Sequence, residues 1–328
     1  METKPIAKLL VLKTQAKLFE LDPVGPYSLA ASVRFLEGFA PAAYGGDGTD
    51  RLRLAFVADG LSGEEKVAGV SVRQEDGVVI GEVFGDVDVG VVRRQVARIL
   101  SLDVNGSGFP EVGRRDPVVG RMQRRYPGLR PVCFHSPYEA AAWAIIGHRV
   151  RIVQAARVKA RMAEELGPKV RVDGKILSAF PGPSRLASLT GFPGLTETKV
   201  ERLRHLALAA GKGKLEANLL RPLPVEEALS RLQELPGIGP FSAELILLRG
   251  AGEPDYLPAH EPRLARAVAR AYGLEETPGI EELKEISENW RPYRTWITLH
   301  LRAALEEETG EIAGKPRSSK KKKLTADR

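Results

Sequence analysis

A tight turn with two glycines joins two helical segments in the C-terminal half of the chain. It reads Leu235-Pro236-Gly237-Ile238-Gly239-Pro240, and the stretches 225–234 and 244–248 on either side carry apolar residues at helical spacing. Glycine permits positive φ and close backbone approach, so amides of the turn and of the second helix can point outward at an anion such as phosphate. Ile238 is expected to anchor the turn between its helices. Such turns also occur as plain helix connectors, so the turn alone leaves both interpretations open.

The N-terminal part of the chain has the alternating pattern of strands. Apolar residues alternate over 51–89, and Glu75-Asp76-Gly77 supplies a turn ahead of 78–84. Two sets of residues should each share one strand face: Leu52, Leu54 and Phe56, and then Ala68, Val70 and Val72. We therefore expect a small antiparallel sheet here.

The spacing changes to a helical period after the sheet. From Ser136 onward this period dominates, interrupted by Pro and Gly connections. The predicted fold class is α+β, with a small N-terminal antiparallel sheet unit over 1–115 and an all-helical region over 116–310. Residues 311–328 are predicted to be a basic disordered tail.

The net charge of +7 is concentrated in that tail. Residues 314–328 hold seven Lys or Arg and one Asp, a charge of +6, which leaves 42 basic and 41 acidic residues elsewhere. The tail could hold nucleic-acid phosphates through counterion release, or it could serve only as a solubilising terminus. Charge therefore says little about the partners of the folded part.

Composition excludes several classes of protein. The single cysteine, Cys133, rules out an intramolecular disulfide, a four-cysteine zinc site and a four-thiolate iron–sulfur cluster. The five histidines show no metal-ligand spacing, so no metal is predicted. No apolar run is long enough to span a bilayer and no signal peptide is recognisable, so we expect a cytoplasmic protein without a membrane partner.

Further short motifs stand in the order and spacing of one known family: Arg130-Pro131, Ser136-Pro137-Tyr138-Glu139, Ile145-Ile146-Gly147, Lys199, Leu248-Arg249-Gly250, Pro254-Asp255-Tyr256-Leu257-Pro258-Ala259 and Trp290-Arg291-Pro292-Tyr293-Arg294. Together with the hairpin they resemble the helix-hairpin-helix DNA glycosylases, in particular the DNA-3-methyladenine glycosylase II (AlkA-like) group. The resemblance covers roughly residues 20–310, and the hairpin is its most specific part.

This resemblance implies a base-excision repair enzyme. Such an enzyme flips a damaged nucleotide out of the duplex and hydrolyses the N-glycosidic bond of an alkylated purine, such as 3-methyladenine or 7-methylguanine. It needs an aromatic pocket for the cationic base and a carboxylate for the oxocarbenium sugar, and no cofactor. The implied partner is double-stranded DNA with damaged bases, the implied location is the nucleoid, and the implied state is a monomer.

The resemblance places the catalytic carboxylate at Glu261, where the group has an aspartate. The extra methylene would move the carboxylate by roughly 1.5 Å if nothing else adjusted, and a misplacement of that order can cost about 100-fold in rate. Outside this context, an acid before a helix-start proline is most often a helix cap.

The other site residues also follow from the resemblance. Phe241, Trp290 and His148 are candidates for the substrate pocket, although packing in the core would account for the two aromatic residues and a surface helix end for His148. The DNA-binding candidates are the hairpin residues and one arginine upstream: Gly237, Ile238, Gly239, Ser242 and Arg149. Three positions depart from the group, which commonly has Gly-Gln-Gln where this chain has Gly147-His148-Arg149, and Trp where it has Phe241.

These residues favour a monofunctional glycosylase over the alternatives. Relatives that also cleave the DNA backbone have a lysine where this chain has Phe241, because an amine is needed to form the Schiff base. The main alternative is a non-catalytic protein that binds damaged or distorted DNA, with chemistry lost through changes at 148, 149 and 261. A third hypothesis, a hairpin used only for packing, predicts no duplex binding without the basic tail.

Overall fold

The structure is a computed structural model and describes residues 17–39, 42, 44–45, 51–60 and 65–310. The strands are β1 Lys17–Leu21, β2 Leu52–Val57, β3 Val67–Glu75, β4 Val78–Phe84, β5 Lys169–Val172 and β6 Lys175–Ser178. The helices are α1 Leu29–Gly38, α2 Val89–Ile99, α3 Phe109–Arg115, α4 Pro117–Arg125, α5 Pro137–Gly147, α6 Ile152–Leu166, α7 Pro183–Ala187, α8 Glu197–Gly211, α9 Ala217–Leu220, α10 Val225–Gln233, α11 Pro240–Ile246, α12 Leu264–Tyr272, α13 Ile280–Glu288 and α14 Arg294–Thr309.

The first four strands form one antiparallel sheet in the order β1-β4-β3-β2. The predicted turn joins β3 to β4, with positive φ at Asp76 (49°) and Gly77 (87°). Positive φ at both central residues suits the twist of a two-residue hairpin. The alternation predicted for β2 is confirmed, because Leu52, Leu54 and Phe56 are all buried.

One face of the sheet packs on α1 and α2 to form a first hydrophobic core, the sheet core. The opposite face is covered by the β5–β6 hairpin, whose Val170 and Val172 pack with Ala55. Gly69 makes this contact possible, since a Cβ there would stand 2.5 Å from a Val172 methyl group. The predicted α+β class is confirmed, but this hairpin lies in the stretch expected to be entirely helical.

The helical part has two further cores. The hairpin core is built mainly from α5, α6, α8, α10 and α11, and the C-terminal core from α3, α4, α12, α13 and α14. The predicted boundary at 115/116 falls between α3 and α4, which both contribute to the C-terminal core. We keep that boundary as a proposal.

Two other predictions from the sequence concern the basic tail and membrane-spanning helices. The basic tail, 311–328, lies outside the described residues. Among the helices that are described, none is long and apolar enough to cross a membrane.

Candidate active site

A cavity of about 240 Å³ is lined by residues of α1, α11 and α14 and of the segments that adjoin them. Three aromatic side chains line it: Phe35 and Phe39 from α1 and its C-terminal end, and Phe241 from α11. The other residues that line it include Ile152, Glu244, Leu245, Leu248, Arg249, Pro258, Glu261, Thr295, Thr298, Leu299, Arg302 and Glu306. The cavity thus combines aromatic walls with carboxylates and guanidinium groups.

Glu261 lies in this cavity, in the turn just before α12, and is 8% exposed. Its Oε2 lies 2.9 Å from Nη1 of Arg302 on α14, and its Oε1 accepts a hydrogen bond from the backbone N–H of Arg263 at 3.2 Å. The second contact is the cap-like bond expected from an acid at this position. The carboxylate is therefore held from two sides while it lines the cavity.

Arg302 is the charge partner that sequence reasoning missed. Burial lowers the pKa of its guanidinium, and the neighbouring Glu261 carboxylate opposes that shift. Arg302 and Glu261 are far apart in the sequence, with α12 and α13 between them. Only the fold brings the two side chains together. The ion pair fixes the direction in which the longer glutamate side chain extends.

A second carboxylate in the cavity belongs to Glu244 on α11, whose side chain is 3% exposed. Its Oε2 accepts a hydrogen bond from the His260 backbone N–H at 3.1 Å. Its Oε1 lies 2.8 Å from Nδ1 of the same histidine. Because a carboxylate only accepts, Nδ1 carries the hydrogen in this pair. Glu244 therefore contacts the residue that directly precedes Glu261.

Arg249 lines the cavity from the π-helical turn Leu247–Ala251, which continues α11. Its guanidinium carbon lies 5.4 Å from the ring centre of Phe35 and 4.9 Å from that of Phe39. An Nη2 hydrogen bond to the carbonyl of Val132 at 2.6 Å anchors it. Burial lowers the pKa of Arg249 to about 10. This stacked cation holds the two phenylalanine rings in place.

Of the three predicted pocket residues, only Phe241 lines the cavity. It is 43% exposed, so the alternative core role does not apply. Trp290 is fully buried in the C-terminal core, and its Nε1 donates to the Tyr272 hydroxyl at 2.8 Å. The pocket role predicted for Trp290 is therefore wrong in location, because its indole N–H and its ring are both used in packing.

His148 also lies outside the lining of the cavity. It is the exposed residue that ends α5, and its pKa is lowered by partial burial and by the nearby cations of Arg149, Arg202 and Lys199. Lys199 donates from Nζ to the Ile146 carbonyl at 2.7 Å, which satisfies an acceptor at the end of α5. We call His148, Arg149, Lys199 and Arg202 the basic patch.

The basic patch adjoins the hairpin between α10 and α11. Gly237 has a φ of +88°, and a Cβ built on it would lie 2.6 Å from Cδ of Arg202. Arg149 is exposed and adopts a φ of +55°, an unusual conformation for a residue with a side chain. The candidates Gly237, His148 and Arg149 are thus brought to one surface, away from the lining of the cavity.

The hairpin itself has the predicted construction, with one difference. Ile238 is 5% exposed within the hairpin core, as expected of an anchor. Gly239 caps the start of α11 with a φ of −96°, so the predicted positive φ applies to Gly237 alone. A Cβ on Gly239 would meet nothing within 4 Å. Ser242 lies half-buried in the first turn of α11.

Sequence reasoning missed most of the residues that line the cavity, among them Phe35, Phe39, Glu244 and Arg302. Of these four, only Glu244 left a signal, since it is the one charged residue in the stretch 240–248. The others come from α1 and α14, which lie far from the hairpin along the chain.

Comparison with known proteins gives the fold first. No protein-family model matches the chain. The solved structure of the 3-methyladenine DNA-glycosylase from Archaeoglobus fulgidus superposes with a TM-score of 0.70 at 24% identity, covering 88% of this chain and 98% of that one. The chain has the helix-hairpin-helix glycosylase fold.

Sequence relatives narrow this to one group. DNA-3-methyladenine glycosylase 2 of Escherichia coli (strain K12) is 34% identical over 189 residues, 56% of this chain and 63% of that protein. DNA-3-methyladenine glycosylase of Bacillus subtilis (strain 168) is 26% identical over 204 residues, 61% of this chain and 67% of that protein. The chain thus spans about two thirds of the length of these relatives. The resemblance to the DNA-3-methyladenine glycosylase II (AlkA-like) group is confirmed.

Proposed function

We propose that this chain is a monofunctional DNA glycosylase that removes alkylated purines. The observation that carries the proposal is the Glu261 carboxylate, held by Arg302 in a cavity with aromatic walls. The names of the sequence relatives support the choice of substrate class. The volume of about 240 Å³ lies just under the range of roughly 300–1,000 Å³ for small-molecule pockets, as suits a single base.

The chemistry requires little beyond these groups. A flipped base would stack against Phe241 and its neighbours, where an alkylated purine gains from its positive charge facing aromatic rings. The bond from N9 to C1′ breaks, its electron pair leaves with the base, and the sugar becomes an oxocarbenium ion beside Glu261. Water then adds its oxygen to C1′ and releases its proton, with Glu261 as the acceptor. The products are the free base and an abasic site.

The hairpin and the basic patch would hold the DNA. Amides in the first turn of α11 have no intrahelical acceptor and can bind a backbone phosphate, with Gly237, Gly239 and Ser242 at the contact. Arg149 and His148 would meet the strand nearby, and the unusual φ of Arg149 supports a functional role for it. Ile152, three positions after Arg149, lines the cavity and so links the two surfaces.

The remaining partner assignments follow from this function. We propose double-stranded DNA with damaged bases as the substrate, a monomer as the active form, and a cytoplasmic, nucleoid-associated location. Monofunctional chemistry is proposed because Phe241 stands where a lyase would need an amine.

A non-catalytic DNA-binding protein is the second candidate. It is favoured by one observation, that both oxygens of Glu261 already have partners in Arg302 and the Arg263 amide. Abasic-site formation on methylated duplex DNA separates the two. A glycosylase converts methylated duplex into abasic sites, whereas the alternative predicts binding without any such product.

A further inference from the structure

Glu244 makes a two-point contact with the loop that carries the candidate catalytic carboxylate. One oxygen accepts from the His260 backbone N–H at 3.1 Å and the other faces the His260 ring nitrogen at 2.8 Å. A buried carboxylate is costly to keep in an apolar helix unless its oxygens are satisfied, and here both are satisfied by one residue. The contact ties α11 of the hairpin directly to this loop.

Two backbone hydrogen bonds of Glu261 also hold the loop. Its carbonyl accepts from the Leu264 N–H at 3.1 Å. Glu261 donates its backbone N–H to the Pro258 carbonyl at 3.2 Å, which closes a short turn around His260. Within that turn, a shift of His260 moves Glu261, because the two are consecutive residues. The Glu261 side chain must reach a fixed point in the cavity, and small displacements of a catalytic group are expensive.

We propose that Glu244 is a positioning residue that sets the Glu261 carboxylate through its contact with His260. This inference rests on the proposed function, because it assigns a role in the same site. Both oxygens of Glu244 are engaged by His260, so we assign its role to the loop and not to the reacting atoms. The contact between Glu244 and His260 fixes the loop, and Arg302 fixes the end of the Glu261 side chain. Together they would place a glutamate carboxylate correctly where the related group has an aspartate.

Three variants isolate the contact. Glu244→Ala removes both hydrogen bonds, and His260→Ala removes the ring contact while it keeps the backbone one. Glu244→Gln keeps an acceptor for the backbone N–H, and its amide group can donate to Nδ1 of the other tautomer. Glu226→Ala is the control, because it removes the same charge from an exposed position on α10 of the same hairpin.

The readout is binding of two duplexes that differ only in the sugar at one position. One carries a neutral tetrahydrofuran abasic analogue and the other a cationic pyrrolidine analogue. A well-placed carboxylate prefers the cationic sugar, so the wild type should bind the pyrrolidine duplex about tenfold or more tightly. We expect this ratio to fall toward one in Glu244→Ala, to fall partly in His260→Ala, and to persist in Glu244→Gln and Glu226→Ala.

A double-mutant comparison excludes a merely structural role. Glu261→Gln should abolish the preference by itself, and adding Glu244→Ala should then change the ratio no further. Equal losses from Glu244→Gln and Glu244→Ala would overturn the proposal, because the charge rather than the contact would then matter. A wild-type ratio near one, or an unchanged ratio in Glu244→Ala, would overturn it as well.

The same proteins distinguish this inference from the proposed function. Release of methylated purine by the wild type tests the function, whereas the sugar-charge ratio tests the placement of Glu261 without any turnover. Base release with an unchanged ratio in Glu244→Ala would leave the function standing and overturn the positioning role. A Glu244-dependent ratio without base release would support the positioning role and overturn the function.

Discussion

At the residue scale, the buried ionisable side chains divide into those of the cavity and those of the fold. Glu139 on α5 belongs to the fold: it lies 2.6 Å from Lys159 and 3.0 Å from His135, and these two neighbours hold the pKa of its carboxyl well below the usual range. Asp255, in the segment before α12, accepts from Arg294 and Arg291 and fixes the start of α14. Neither side chain lines the cavity.

His300 on α14 gives the fold a predictable sensitivity to acid. It is fully buried, its Nε2 lies 2.9 Å from the Leu129 carbonyl, and burial lowers its pKa from 6.5 to about 4. Below pH 6.5 the unfolded chain binds a proton that the folded protein does not accept until about pH 4. Stability should therefore fall by about 1.4 kcal/mol per pH unit across this window, a total of roughly 3 kcal/mol.

Urea unfolding between pH 7 and 4 measures this loss. In His300→Asn the free energy of unfolding should depend less on pH between 6.5 and 4. The variant should also be less stable than the wild type at pH 7, because a buried ring is lost. His205→Asn, at an exposed position on α8, is the matched control and should keep the slope of the wild type. A slope unaltered in His300→Asn would contradict the assignment. The contribution of Glu139 is lost only below its ordinary pKa of 4.5, as pH falls toward its lowered value.

At the element scale, the two glycines of the hairpin have separate tasks. Gly237 needs its positive φ and has Arg202 against it, whereas Gly239 has ordinary backbone angles and open space around it. Gly237→Ala should lower the free energy of unfolding by about 1–2 kcal/mol because of the left-handed conformation. Gly239→Ala should leave stability within about 0.5 kcal/mol of the wild type.

Duplex binding should respond differently from stability. The methyl group of Gly239→Ala would stand at the open start of α11, where we propose that a phosphate docks. This variant should bind duplex DNA several-fold more weakly than the wild type, although it folds normally. Thermal unfolding and duplex affinity, measured on both variants, separate the two tasks. Unchanged affinity in Gly239→Ala would argue against a phosphate at this position.

Elements built from local patterns could be predicted from the sequence, and those built from distant contacts could not. The hairpin and the β3–β4 turn each depend on a few adjacent residues, and the structure has both. The β5–β6 hairpin was missed because its four-residue strands are stabilised by packing on the sheet. The hydrophobic pattern of such short strands does not reveal packing on a sheet that is distant in sequence.

The residues of the site also divide into those that a local motif identifies and those that only distant packing brings in. Phe241 could be placed because it directly follows the hairpin turn, and Glu261 because it follows the Pro258-Ala259 step of the motif. Arg302, Phe35 and Phe39 reach the cavity only through the packing of α14 and α1. Trp290 was assigned to the pocket from its motif, yet its indole N–H has a partner in the C-terminal core. Chain order alone does not reveal which side of a helix faces a cavity.

At the scale of the whole molecule, the cavity depends on helices that belong to three different cores. Phe35 comes from α1 of the sheet core, Phe241 from α11 of the hairpin core, and Arg302 from α14 of the C-terminal core. The N-terminal sheet unit therefore contributes to the site through α1. A site assembled in this way should be lost when any one of the three cores is disrupted.

The charge distribution predicts two separable contributions to DNA binding. Residues 314–328 carry +6 of the net +7, whereas the hairpin and the basic patch lie within residues 65–310. Truncation after Ala313 should reduce the dependence of log Kd on log salt concentration and weaken binding at low salt. Binding to duplex should nevertheless persist, because the hairpin and the basic patch remain.

A salt titration of duplex binding by the full chain and the truncated chain makes this measurement. Complete loss of duplex binding on truncation would contradict a DNA-binding hairpin and would support the hypothesis of a hairpin used only for packing. An unchanged slope would instead assign the tail to solubility alone.

The central claim is that the cavity around Glu261 hydrolyses the glycosidic bond of alkylated purines. Its most direct test is the single-turnover rate of free methylated purine release from alkylated duplex DNA by the wild type, Glu261→Gln and Glu261→Asp. We predict release by the wild type, a loss of about 100-fold or more in Glu261→Gln, and a kept or raised rate in Glu261→Asp. Tight binding of that duplex by the wild type without release of any base would contradict the claim.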